Sequence, residues 1–190
     1  MMWDTVQKLE ETYKQAREIA EKFNEYSGAV MIPSQYENYR NDGKIVLPGG
    51  EELIIEFKSY SATSLITQYN HRARYLKGVQ MFSCEFDDWH NSDIFIQYDA
   101  ANTSLLRMTS RYDYSSKDVL KPYRNRNTGK EAVMSYKYCP WDKVYYMDLW
   151  NIYGIADNSK IDSFLTKVWK QKQEYDIMKK NRKGRYYLWT

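Results

Sequence analysis

The chain has 190 residues, enough for one domain with a normal core. Its hydrophobic share of 43% and charged share of 28% are ordinary for a globular protein, and no apolar run is long enough to span a bilayer. The net charge of +3 permits nucleic-acid binding without requiring it, since the local charge pattern outweighs the sum. Tyrosine is in excess, with 19 Tyr beside 6 Trp. That excess fits a large wet interface, because the ring is apolar and its tip polar; A/T-rich coding bias would produce it equally.

Met1-Met2-Trp3-Asp4 leads into a charged amphipathic segment rather than an apolar signal core, so a soluble, cytoplasmic protein is expected. Over 3–26, Trp3, Val6, Leu9, Tyr13, Ala16, Ile19, Ala20, Phe23 and Tyr26 recur every three or four residues, which predicts a long helix with one apolar stripe. Ser27-Gly28 is expected to end it through a left-handed glycine. A stripe this long can cover a sheet, pair with a second subunit, or do both, and a homodimer is expected.

A short apolar run over 29–33 and a polar loop over 34–43 follow. Strands are predicted at 44–47 and 52–60, joined through Pro48-Gly49-Gly50. A helix is expected over 62–76. Further strands are expected at 79–86, 93–98, 105–111, 132–138 and 143–149, with a mobile basic loop over 115–130. A last helix over 159–182 is expected to start at a capping-box-like Ser159-x-x-Asp162 and to stop at Gly184. The pattern predicts one α+β domain over 1–190. It comprises a central mixed sheet, the helix 3–26, a core over 36–98, further strands and the basic loop over 104–150, and a C-terminal helix with a basic tail over 159–190.

The chemistry concentrates at Leu53-Ile54-Ile55-Glu56-Phe57-Lys58, an apolar strand ending in Glu-x-Lys. Residues i and i+2 of a strand share a face. Glu56 and Lys58 therefore point one way, and Ile55 and Phe57 point to the core. Asp42 lies across the intervening turn, where a neighbouring strand brings its carboxylate toward Glu56. Two converging carboxylates make a hard-oxygen site suited to Mg²⁺, and a lysine beside them can act on a water or on phosphorane charge. The same triplet also reads as an edge strand with a solvated Glu–Lys pair, and Asp42-Gly43-Lys44 is a second acid-x-Lys in the chain.

Asn41-Asp42 followed by Glu56-Phe57-Lys58 and a predicted helix resembles the PD-(D/E)XK nuclease superfamily, and within it small Type II restriction endonucleases. Asparagine stands at 41 where the pattern has proline. The resemblance covers about residues 36–98. It implies a restriction-endonuclease-like fold, Mg²⁺ as cofactor, Asp42 and Glu56 as metal ligands, Lys58 as the catalytic lysine, and a homodimer cutting DNA.

Several segments carry groups suited to DNA. Gln68, Asn70, His71, Arg72 and Arg74 are side chains that read base edges, although a solvated helix face has the same composition. Lys121, Arg124 and Arg126 punctuate the basic loop and suit phosphates. Lys and Arg residues with Tyr186, Tyr187 and Trp189 mark the C-terminus. Cys84 and Cys139 are isolated and read as free thiols, and His71 and His90 lack zinc-site spacing. Besides a restriction-type DNA endonuclease, the composition suits a structure-selective or RNA-directed nuclease. It also suits a non-catalytic phage- or mobile-element-encoded protein that binds and inhibits a nucleoprotein or nuclease.

Overall fold

A computed structural model describes residues 2–34, 41–60, 64–74 and 77–186, including all of their side chains except those of 2–5, 60 and 184–186. Helix α1 (Met2–Phe23) leads into strands β1 (Val30–Pro33), β2 (Gly43–Val46) and β3 (Glu52–Tyr60), an antiparallel meander. After a short helix α2 (Leu65–Asn70), strand β4 (Val79–Phe82) and helix α3 (Ser83–Asp88), the chain returns as β5 (Ile94–Asp99), parallel to β3. Strands β6 (Asn102–Ser110) and β9 (Tyr145–Asp148) complete a six-stranded mixed sheet, ordered β1-β2-β3-β5-β6-β9. Strands β7 (Val119–Arg124) and β8 (Glu131–Cys139) join β4 in a second sheet, ordered β4-β8-β7. Helix α4 (Ile161–Tyr186) closes the described chain. The fold is α+β, as expected, and no described helix is long and apolar enough to cross a membrane.

The period-2 alternation of β3 divides the layers. Leu53 and Ile55 are fully buried and meet Ile45, Ile94, Ile96, Leu106, Met108 and Met147 from the neighbouring strands. Ile19 and Phe23 of α1, with Ile161, Leu165 and Val168 of α4, cover that face. The opposite face carries Phe95 into a smaller core with Val79, Met81, Tyr114 and Cys139, where Phe86 and Trp89 also pack. The molecule is thus three layers deep: helices, the main sheet, and the small sheet with α3. Burying side chains of this size yields roughly 1.5–3 kcal/mol each.

Two of the edge strands, β1 and β7, are blunted. Asn24 donates to the Met31 carbonyl and accepts from the Met31 N–H, pairing with the backbone of edge strand β1. The outer strand of the small sheet, β7, carries Pro122 at its middle, opposite Val133.

The structure corrects several expectations. Helix α1 ends at Phe23, because Glu25 and Tyr26 turn tightly onto Lys22 and Phe23. Gly28 does not take a left-handed cap; its N–H donates to the Asp162 carboxylate. Asp162 is therefore a tie to the α1–β1 turn, and Asp157 accepts from Ser159 to open the last helical segment. Gly184 does not stop α4, as one helical glycine costs only about 1 kcal/mol. The expected strand over 79–86 is split, since Ser83–Asp88 is helical. The spacing of Phe82, Phe86 and Trp89 is helical and carries Phe86 and Trp89 into the second core. The basic segment is not one long loop. Val119–Arg124 is a strand, and the Asn125 side chain closes a tight turn by accepting from the N–H groups of Asn127 and Thr128. Of the helix expected over 62–76, Leu65–Asn70 and a 3-10 turn at Arg72–Arg74 are described. Positions 61–63 and 75–76, most of the 34–43 loop, and Tyr187 and Trp189 lie outside the described residues.

Candidate active site

The β2–β3 ladder pairs Gly43 with Ile55, and Asp42 stands one step beyond that pair, opposite Glu56. Gly43 has to be small: a Cβ there would lie 2.7 Å from the Ile32 carbonyl oxygen of β1. This close approach fixes the chain where it delivers Asp42. One Asp42 oxygen accepts from the Phe57 N–H at 2.8 Å. Its carboxyl also hydrogen-bonds that of Glu56. Burial, and then the charge of Asp42, push Glu56 up to about 8. Burial likewise raises Asp42, against the Phe57 N–H that favours its charged form. Two carboxyls that resist joint ionisation are a place where a cation relieves the cost.

Lys58 leaves β3 on the same face as Glu56 and lies opposite Gln97 of β5. Its ammonium turns to Glu85 of α3, at 2.6 Å, and sits 5.2 Å from the centre of the Trp89 ring. Glu85 was not among the residues expected from the sequence. Its only signal was the helical spacing of Phe82, Phe86 and Trp89 inside a run that reads as a strand. A cleft of about 80 Å³ opens beside Lys58, with Glu85, Gln97, Gln80, Phe82 and Tyr136 around it.

Behind the cleft, Arg107 of β6 is almost fully buried. Its Nε donates to Gln97 and one terminal nitrogen to Gln68, each at 2.7 Å. Gln68 thus holds Arg107, in a position where a free base-reading side chain was expected. Asn70, at the end of α2, and His71, Arg72 and Arg74 after it are exposed. Arg72 lies 4.2 Å from the centre of the Tyr69 ring and donates to the Tyr69 carbonyl. Lys121 donates to Gln80, and Arg124 and Arg126 are exposed at the β7–β8 tip.

No protein-family model matches the chain, and no curated protein or solved structure matches it. The chemistry of the site therefore rests on its own geometry. Among the described residues no group of three or more His, Cys, Asp or Glu could hold a metal ion. The Asp42–Glu56 pair nonetheless fits Mg²⁺, which is commonly held by one or two carboxylates while keeping several waters. Cys84 is exposed and Cys139 buried, both as free thiols, and burial pushes Cys139 up to about 12.

Proposed function

We propose that the chain is a Mg²⁺-dependent endonuclease that hydrolyses phosphodiester bonds in DNA, with Asp42, Glu56 and Lys58 as its catalytic residues. The observation that carries this reading is the convergence of Asp42 and Glu56 on adjacent antiparallel strands, with Lys58 on the same face. The resemblance to PD-(D/E)XK nucleases supports it. So does the order of helix, three-stranded meander and parallel return strand, which is compatible with a restriction-endonuclease-like fold.

Asp42 and Glu56 would hold the ion, Glu56 giving up its proton as it does so. When bound, Mg²⁺ lowers the pKa of water and polarises a phosphoryl oxygen. Lys58, drawn from Glu85 toward an incoming phosphate, orients the attacking water or stabilises charge on the phosphorane. Asn70, His71, Arg72, Arg74, Arg124 and Arg126, all exposed, would contact the DNA. A restriction-type homodimer would pair two such sites, one per strand.

The test is cleavage of plasmid DNA with Mg²⁺ against the same mixture with EDTA, for wild type, Lys58→Ala and Glu56→Ala. Wild type is expected to cleave only with Mg²⁺, and each variant to lose roughly a hundredfold or more. Glu56→Ala should also weaken Mg²⁺ binding, whereas Lys58→Ala should spare it. Equal activity in wild type and Lys58→Ala, or none in either across several substrates, would end the nuclease reading in favour of a non-catalytic binding protein.

A further inference from the structure

The small sheet has two faces, and one of them leads to Lys58. Register places Gln80 and Phe82 of β4, Tyr136 and Tyr138 of β8, and Lys121 and Tyr123 of β7 on that face. Phe82 stacks on Tyr136 with ring centres 4.7 Å apart, and Tyr123 meets Phe82 edge-on at 6.1 Å. Lys121 and Lys77 lie over Tyr138, at 5.0 and 5.8 Å from its ring centre. Lys77, Gln80, Lys121 and Tyr123 are exposed. None of the residues of β4, β7 and β8 on this face is acidic, since Met134, Ala132 and Val119 are its other members. Glu131 and Asp118 belong to the reverse side, where Asp118 pairs with Lys137. The face ends in the cleft beside Lys58, because Gln80, Phe82 and Tyr136 line both.

We infer that this face is a platform for single-stranded DNA, along which an unpaired strand is led to Lys58. The chemistry is that of strand-binding surfaces, where cations follow the phosphates and rings stack on bases without reading them. Tyr123 is the ring left open for a base, and Lys77 and Lys121 are the cations placed for the backbone. The cleft of about 80 Å³ has room for part of a nucleotide. The inference rests on the nuclease reading for the fate of the strand, but not for its binding.

The test is fluorescence anisotropy of the full chain in EDTA, with a fluorescein-labelled single strand of about 15 nucleotides, its duplex, and RNA of the same sequence. The single DNA strand is expected to bind about tenfold or more tightly than the duplex. Tyr123→Ala should weaken it by roughly five- to a hundredfold, and Tyr123→Phe should restore it. Lys121→Ala and Lys77→Ala should each weaken it and reduce the salt slope by about 0.7. Lys8→Ala on α1 should bind as wild type does. Duplex or RNA bound as tightly as the single DNA strand overturns the inference, as does wild-type binding by the Tyr123 and lysine alanine variants. A parallel Mg²⁺ cleavage assay separates the two readings. Single-strand binding lost in these variants, without any cleavage, sinks the nuclease and keeps the platform. Cleavage with unaltered binding by the variants does the reverse.

Discussion

Glu56 leaves the sheet on the side opposite Ile55, and its carboxyl meets Asp42. Burial and the neighbouring charge favour its protonated form up to about pH 8, whereas a free glutamate ionises near 4.5. Between those values the folded chain binds more protons than the unfolded one, so stability falls as pH rises through the window. Glu56→Gln keeps a neutral hydrogen-bonding group and removes the charge. It is expected to raise the melting temperature at pH 8, to leave it little changed at pH 4, and to flatten the profile between, as followed by calorimetry without divalent ions. The Asp42–Glu56 meeting was legible in the sequence, because a strand–turn–strand and a period of two suffice to place both. Glu85 was not: its link to Lys58 depends on a single turn of helix hidden in a run whose alternation, Val79-Gln80-Met81-Phe82, is that of a strand. Nor was the capture of Gln68 by Arg107, because the two are 39 positions apart and both are ordinarily exposed residue types.

Among the elements, the turn after β9 depends on one side chain. Asp148 accepts from Ser104 Oγ and from the N–H groups of Ile152, Tyr153 and Gly154, all within 3.0 Å. Burial by itself would raise its pKa, but these donors outweigh it and hold the carboxyl below the ordinary value. Its contribution is therefore present above the ordinary carboxylate range and lost as pH falls through the folded value. Asp148→Ala orphans three backbone donors and is expected to cost on the order of 3 kcal/mol in urea unfolding at neutral pH. A smaller loss would mean that water replaces the carboxylate. The main strands were legible from apolar runs and turn residues. The β7–β8 hairpin was not, since β7 is exposed on both faces and so shows no alternation. Only the Asn125-Arg126-Asn127-Thr128-Gly129 turn betrays it.

At the scale of the whole molecule, the layering could not be anticipated, because β4 finds its partner in β8 only after two strands of the other sheet, with Val79 paired to Cys139 and Phe82 to Tyr136. The two long helices were legible, but not how little of each is used. Ala16, Ile19, Ala20 and Phe23 of α1 are buried, while Val6 and Leu9, on the same stripe, are exposed. The homodimer proposed above would form through that free half. Sedimentation at micromolar concentration is expected to give twice the 22.9 kDa chain mass, and Leu9→Glu to return it to one. Wild type sedimenting as a single chain, with and without DNA, would exclude this interface.

Self-association also has an unwanted form, and Pro122 bears on it. An outer strand exposes unpaired backbone groups that can template another chain, and β7 also exposes Leu120, with Val133 beside it on β8. A proline in the middle of that strand removes a donor from the ladder a second molecule would extend. Lys121 and Arg124, close on either side, add like charge between approaching copies. The hairpin can thus leave Leu120 and Val133 exposed on its reverse side without zipping onto another copy. Pro122→Val should leave the isolated fold intact and slowly form β-rich aggregates at high concentration, detectable by light scattering and thioflavin fluorescence. If the variant stays as dispersed as wild type, the charges alone protect the edge.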